Sequence, residues 1–353
     1  MDDFQEYKKL AEPSARKKLE NWRVAIGLQQ VDDLTPSEYL IKTAKENIEG
    51  KITQQEVYKR LDAYYKTDEG KAQGTAKEEA DRVSAQISGI LADQSFTFAP
   101  TMLFAIHELL FRDTYPLMAG KIRKYNITKE EFVLNGDTVQ YGTANMIAAT
   151  LKYDFENERN FDYKGLSKRE KVEHIAKFIS GLWQTHPFGE GNTRTIAVFT
   201  IKYLRAMGFN DASNEMFEKN SKYFRNALVR ANYQNLEKDI LYTPQYLNYF
   251  FGNLLLGEKN ILKNRDMIAA IGKNTDKTGK ITDKITDKLK KKEAEFLQNI
   301  IDFLKNKGEI DNENARKLTG KSSESVKKYF AALVSAGILI ATGANKARRY
   351  KLK

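Results

Sequence analysis

His186 to Arg194 reads HPFGEGNTR, and within nine residues it brings together an imidazole, a carboxylate, two glycines and a guanidinium. The flanking stretches carry apolar residues at helical spacing. His174 to Trp183 places Ile175, Phe178, Ile179 and Leu182 three and four apart, and Thr195 to Met207 answers with Ile196, Phe199, Ile201 and Leu204. Pro187 and the glycine pair Gly189 and Gly191 stop the first helix, so a tight loop opens directly onto the second.

Backbone N–H groups at a helix start lack intrahelical partners, and with the helix dipole they form a ready site for phosphate. Gly191 and Asn192 favour the dihedrals that gather such groups into one concavity. Arg194 adds a permanently charged fork for phosphate oxygens. Glu190 is an oxygen ligand of the kind Mg2+ shares with substrate phosphates, and His186 is a base near neutral pH. With only three histidines in 353 residues, one inside this loop points to chemistry on a nucleotide.

The loop resembles the signature of Fic domains: His-Pro-Phe, two residues, Gly-Asn-Gly-Arg and a second Arg three residues on. That resemblance implies a mainly α fold, a Fic-type helical core with a small β-hairpin flap, and transfer of AMP from ATP to a Ser, Thr or Tyr hydroxyl of a protein target. It implies that His186 deprotonates the hydroxyl, Glu190 holds Mg2+, and Phe188, Gly189, Gly191, Asn192, Thr193 and Arg194 form the nucleotide loop, Phe188 as its anchor. Removal of AMP from a modified protein, by the same loop, stays open. Two positions depart from the signature, since Thr193 replaces the second loop Gly and Ala197 the second Arg.

The resemblance covers roughly Asp81 to Arg265. Ile106 to Arg123 ends in an Ala-Gly-x-Ile-Arg pattern, and Phe132 to Tyr141 (FVLNGDTVQY) sets Asn135-Gly136 between short β-prone runs. By resemblance this hairpin is the flap that docks the target through Val133, Leu134, Asn135, Gly136, Thr138 and Val139. Downstream, Asn220 to Tyr233 is a helical run, on which Tyr223 and Asn226 are candidate nucleoside contacts.

Many Fic proteins carry an inhibitory helix with Ser or Thr, three residues, Glu and Gly or Asn. Ser84 to Gly89 reads SAQISG, with Ser84 and Gly89 in place but Ser88 for the Glu. The Glu and the Arg missing at Ala197 are two halves of one ion pair, so that form of inhibition is not expected here. Asn21 to Tyr65 is similar to the small antitoxin subunits of some Fic toxins, and its segment LQQVDD makes Asp32 the alternative regulatory candidate.

These readings divide the chain into an N-terminal helical module (1–66), a polar linker (67–80), the Fic segment (81–265), a basic linker (266–292) with three Thr-Asp-Lys repeats, and a C-terminal domain (293–353). In the last, an apolar stripe from Phe296 to Leu304, a short helix Asn312 to Leu318, a helix Ser322 to Ala336 and two short strands resemble a winged helix-turn-helix. Lys327 and Lys328, with Lys346, Arg348 and Arg349 on the wing, are its DNA-binding candidates, giving a second reading as a DNA-binding regulator whose Fic site senses nucleotide or modifies the protein itself.

The net charge of +11 favours acidic partners. The absence of cysteine excludes disulfides and a catalytic thiol. No apolar run approaches the ~20 residues of a membrane span, and the acidic start MDDFQEY lacks the features of a signal peptide. A cytoplasmic protein without membrane contact is therefore expected, and a homodimer stays open.

Overall fold

The computed structural model describes residues 13–209, 215–238, 240–269, 296–297, 299–300, 303–304, 307–335, 338–343 and 348–352. The chain forms two compact units, divided after Ile271.

Among the described residues of the first unit the regular elements are helices. In order come α1 (Pro13–Gly27), α2 (Glu38–Ile48), α3 (Gln54–Tyr64), α4 (Asp68–Ala72), α5 (Thr75–Ala92), α6 (Pro100–Phe111), α7 (Ile147–Arg159), α8 (Lys168–Thr185), α9 (Asn192–Ala206), α10 (Glu215–Ala231) and α11 (Gln245–Leu256). Several starts are written locally. Ser37 caps α2 and Thr53 caps α3 by accepting an N–H two or three residues into the helix, and Ser167 with Glu170 forms a reciprocal capping box on α8. No helix of the described residues is long and apolar enough to cross a membrane.

Two cores hold this unit. The larger gathers Leu103, Phe111, Phe155, Trp183, Phe199, Phe224 and Phe250 from α6 to α11. The smaller gathers Leu40, Ala44, Val57 and Leu61 from α2 and α3 around Trp22, whose indole N–H donates to Asn47 at 2.9 Å. Helix α1 belongs to both, because Leu19 and Trp22 enter the small core whereas Val24 and Ala25 enter the large one. Its end approaches α10 so closely that a Cβ on Gly27 would lie 2.4 Å from the Glu218 carbonyl oxygen.

Two expectations are corrected here. The segment 67–80 is folded rather than a linker: the Thr67 hydroxyl caps α4, and α5 begins at Thr75 directly after Gly74, whose φ of +81° makes the turn. Polar composition misled because Gly70 is buried against the Tyr64 carbonyl and Glu79 has a buried partner. The flap is a turn rather than a strand pair. Asn135 and Gly136 do adopt left-handed dihedrals, and Glu131 N–H donates to Asp137 O at 2.9 Å, but Phe132–Leu134 forms a single 3-10 turn. Core burial of Val133, Leu134 and Val139, with the Ala269 N–H on the Val133 carbonyl, ties these residues inward and leaves no ladder. Residues 266–269 likewise close onto the first unit through that bond, while 270–292 and the Thr-Asp-Lys repeats lie outside the described residues.

The second unit has α12 (Asn312–Thr319), capped by Asp311, then α13 (Ser323–Ser335), β1 (Leu339–Thr342) and β2 (Arg349–Leu352). The strands pair antiparallel in the register Leu339 to Leu352, and Ile310 bridges to Tyr350 beside them. Phe296, Ile300 and Leu304 pack with Val326, Phe330 and Leu333 to make its core.

Candidate functional site

Helix α8 ends at His186, which takes left-handed dihedrals (φ 48°, ψ 61°), and α9 begins after Gly191 (φ 73°). A Cβ at Gly191 would lie 2.2 Å from the Phe111 ring, so both the dihedral and the contact require glycine there. The loop between is held from below. Asn192 grips it reciprocally, accepting from Phe188 N–H at 3.0 Å and donating to Phe188 O at 2.8 Å. Its carboxamide is thus engaged by the loop itself. Phe188 is fully buried and stacks on His107 with ring centroids 3.8 Å apart.

His107 went unnoticed in the sequence, although it is one of the three histidines. Its Nδ1 accepts from Gly120 N–H at 2.9 Å, so Nε2 carries the proton and donates to the Glu190 carbonyl at 3.0 Å. Burial pushes its pKa down to about 4 and keeps it neutral in that tautomer. Arg123 is the second support. Its Nε donates to the His186 carbonyl at 2.8 Å and its backbone N–H to Pro187 O at 2.9 Å, while its other nitrogens reach the Tyr125 and Gly142 carbonyls.

One imidazole nitrogen of His186 is left bare. His186 Nδ1 lies 3.1 Å from the Trp183 carbonyl, which only accepts, so Nδ1 carries the proton and Nε2 presents its lone pair. That Nε2 is buried and has no hydrogen-bond partner among the described residues. Burial first, then the nearby Lys129 charge, drives the His186 pKa well below its ordinary value. The Tyr141 ring lies beside the imidazole, centroids 4.2 Å apart.

A cavity of about 10 Å3 is lined by His186, Glu190, Asn192 and Thr193 together with Asp32, Lys129, Glu131 and Arg225. The last three carry charge at the site and were not singled out from the sequence. Lys129 Nζ stands 3.3 Å from Glu190 and holds that carboxylate ionised against the effect of burial. Arg225 Nη1 lies 2.7 Å from buried Glu131, which also accepts from Tyr141. Thr193, the departure from the loop signature, is accommodated as the acceptor of the Trp183 indole N–H at 2.9 Å. Ala197, the other departure, is fully buried in the large core.

Arg194 is 1 % exposed and surrounded by the N-terminal segments. Its Nη2 donates to Glu79 at 2.6 Å and its Nη1 to Gln29 at 3.2 Å, its Nε lies 2.9 Å from Asp32 Oδ2, and the Phe111 ring covers one face at 4.9 Å. Each partner is itself oriented. Gln29 donates its amide to Ala25 O, which turns its oxygen toward the guanidinium, and Tyr115 donates to the second oxygen of Glu79 at 2.6 Å. Asp32 is presented by the 3-10 turn Leu28–Asp32, closed by Asp33 in the left-handed region. The sequence pointed to Asp32; Glu79 lay in a stretch whose composition gave no sign of it.

Other candidates sit elsewhere. Ser84 and Ser88 are buried within α5, where Ser84 donates to the Ala25 carbonyl of α1. Tyr223 and Asn226 are buried toward the α11 side: Tyr223 donates to Tyr246 O and Asn226 to Asn264. Of the flap candidates, Asn135 and Gly136 are exposed, Thr138 accepts from Lys129 N–H, and Val133, Leu134 and Val139 are core residues. Lys327, Lys328, Arg348 and Arg349 lie on the second unit, and Lys346 is outside the described residues.

Residues 97–204 match the family model described as Fic/DOC family. A curated relative, protein adenylyltransferase VbhT of Bartonella schoenbuchensis, is 29% identical over 139 residues, covering 36% of this chain and 27% of that protein. Among solved structures, BepC of Bartonella tribocorum with bound AMPPNP is 20% identical with a TM-score of 0.37, over 54% of this chain and 89% of that one. A Fic family protein from Desulfovibrio desulfuricans is 15% identical with a TM-score of 0.43, over 99% of this chain and 92% of that one. The segment that matches the Fic/DOC family, residues 97–204, holds the whole of HPFGEGNTR.

Proposed function

We propose that the chain transfers AMP from ATP to a Ser, Thr or Tyr hydroxyl of a protein target. The observation that carries this reading is the bare Nε2 lone pair of His186, set on a cavity shared with Glu190 at the start of α9. The family match and a relative named as an adenylyltransferase support it. In the reaction the target oxygen attacks the α-phosphorus and its proton passes to His186 Nε2. The bond to the β-phosphate oxygen breaks, and pyrophosphate leaves with the electron pair. Backbone N–H groups of the first turn of α9 and the Arg194 guanidinium would steady the charge on the phosphates.

The residues present fit Mg2+. The Glu190 side chain is 41% exposed, and no group of three or more His, Cys, Asp or Glu among the described residues could hold an ion by protein alone. One carboxylate suits an ion that takes its other oxygens from phosphates and water. When bound, it supplies charge neutralisation on those phosphates. Lys129 must then give up its contact with Glu190.

The described state is a restrained one in this reading. A cavity of about 10 Å3 has room for about one water, and Arg194 is held by Asp32 and Glu79 instead of a phosphate. Incubation with labelled ATP and Mg2+ tests both parts. Weak labelling of the chain or a partner should rise in Asp32→Ala and vanish in His186→Ala. If no variant transfers label from ATP, GTP, UTP or CTP, the reading fails.

A further inference from the structure

We propose that the second unit binds B-form DNA in the groove between α12, α13 and β2, independently of the nucleotide site. This groove has a volume of about 1630 Å3 and a strongly unequal charge balance. Arg316, Lys317, Lys321, Lys327, Arg348 and Arg349 line it, against the two carboxylates of Asp311 and Glu313. Both carboxylates are committed. Glu313 pairs with Lys317 at 2.8 Å and Asp311 with Arg349 at 3.6 Å, while the other Asp311 oxygen caps α12. Arg316, Lys321, Lys327 and Arg348 have no carboxylate within ion-pair distance among the described residues.

The distribution of these charges selects the occupant. Helix α13 turns Val326, Phe330 and Leu333 into the core, leaving Ser323, Lys327, Ala331 and Ser335 spaced by four along the face that lines the groove. Three of those four side chains are small, so the helix backbone can be approached closely by a rigid surface. A DNA major groove, about 12 Å wide, admits such a helix, whereas the major groove of A-form RNA is too narrow to do so. Arg316 and Lys321 stand on the α12 side and Arg348 on the β2 side. A central helix with cations on both rims suits two phosphate strands flanking one groove. An extended acidic peptide would have no use for the paired rims.

Fluorescence anisotropy of the full chain with a labelled mixed-sequence duplex, across a salt series without nucleotide, tests the proposal. Neutralising about four phosphates gives a slope of log K against log salt near −3.6. Replacing Arg316, Lys321, Lys327 and Arg348 together by Ala should remove most of that slope, and Ala331→Glu alone should weaken binding at least tenfold. Arg316, Lys327, Ala331 and Arg348 are exposed and Lys321 is half-buried over the Tyr329 ring, so none of these changes reaches the buried core. Lys152, Lys164, Lys168 and Lys177, exposed on the first unit, provide the matched control of four charges. Equal loss from the control set would mean diffuse attraction by the basic chain and would overturn the proposal. So would equal affinity for duplex RNA or for polyglutamate, or no binding at low salt. Because no nucleotide is present, failure of AMP transfer leaves this result untouched.

Discussion

Asp32 Oδ2 lies 2.9 Å from Arg194 Nε across a gap of 162 residues in sequence, and it does so as the more accessible of two acids on one buried guanidinium. Asp32 is 31 % exposed and Glu79 is 13 % exposed, so water competes with the first far more than with the second. Their removal should therefore have unequal costs. Asp32→Asn should lower stability by only about 1 kcal/mol and raise AMP labelling several-fold. Glu79→Gln should cost about 3 kcal/mol, because a buried charge is left short of its main partner. Urea midpoints and labelling rates of the two variants check the order; equal effects on both would contradict it.

Gly27 offers a way to loosen the same contact without touching a charge. A side chain there meets the Glu218 backbone at 2.4 Å, which the fixed α10 carbonyl cannot avoid. Gly27→Ala should force α1 from α10 at a cost of about 1–3 kcal/mol and increase both labelling and amide exchange in Leu28 to Asp33. Unchanged exchange in that turn would show that the contact yields without moving Asp32.

Stability should carry a histidine signature at acid pH. The folded-state pKa of His107 is about 4, below the ordinary 6.5, so the unfolded chain binds the proton first. Stability is then fully present above pH 6.5 and is lost as pH falls toward 4, by roughly 3 kcal/mol from this group. His186 shifts in the same direction and adds to the loss. In His107→Asn the pH 7 stability should drop while the slope between pH 6.5 and 4 flattens, as read by denaturant midpoints across that range. An unchanged slope would place the acid sensitivity elsewhere.

Thr193 is expected to matter through its hydroxyl. Thr193→Val keeps the shape but leaves the Trp183 indole N–H without its acceptor, which should cost about 1–3 kcal/mol. Thr193→Ser should restore most of that stability. Melting temperatures of the pair separate the hydrogen bond from packing.

The loop and its two helices were legible in the sequence because local rules specify them. Proline, glycine and the apolar spacing bound α8 and α9, and the left-handed dihedrals fell on Asn135, Gly136 and Gly191. The flap was misread because the Asn135-Gly136 turn is local, whereas the burial of Val133 and Val139 that prevents a ladder comes from distant segments such as Ala269. Glu79 and Gln29 were hidden for the same reason. A Glu in KAQGTAKEE looks like solvated surface until α5 brings it against Arg194. His107, Lys129 and Arg225 likewise reach the site from separate elements, and only Arg123 had a local pattern to mark it.

Helix α1 divides its apolar residues between two cores, Leu19 and Trp22 on one side and Val24 and Ala25 on the other. It therefore cannot swing away as a rigid lid, since either direction of travel strips one core. A withdrawal of Asp32 that carries α1 with it would then pass through partial unfolding of that helix. Such sub-global openings belong to the slow end of protein motion. If the site transfers AMP as proposed, it would switch at a pace set by folding kinetics rather than by nucleotide diffusion, and a pulse of ATP shorter than that opening would pass unanswered.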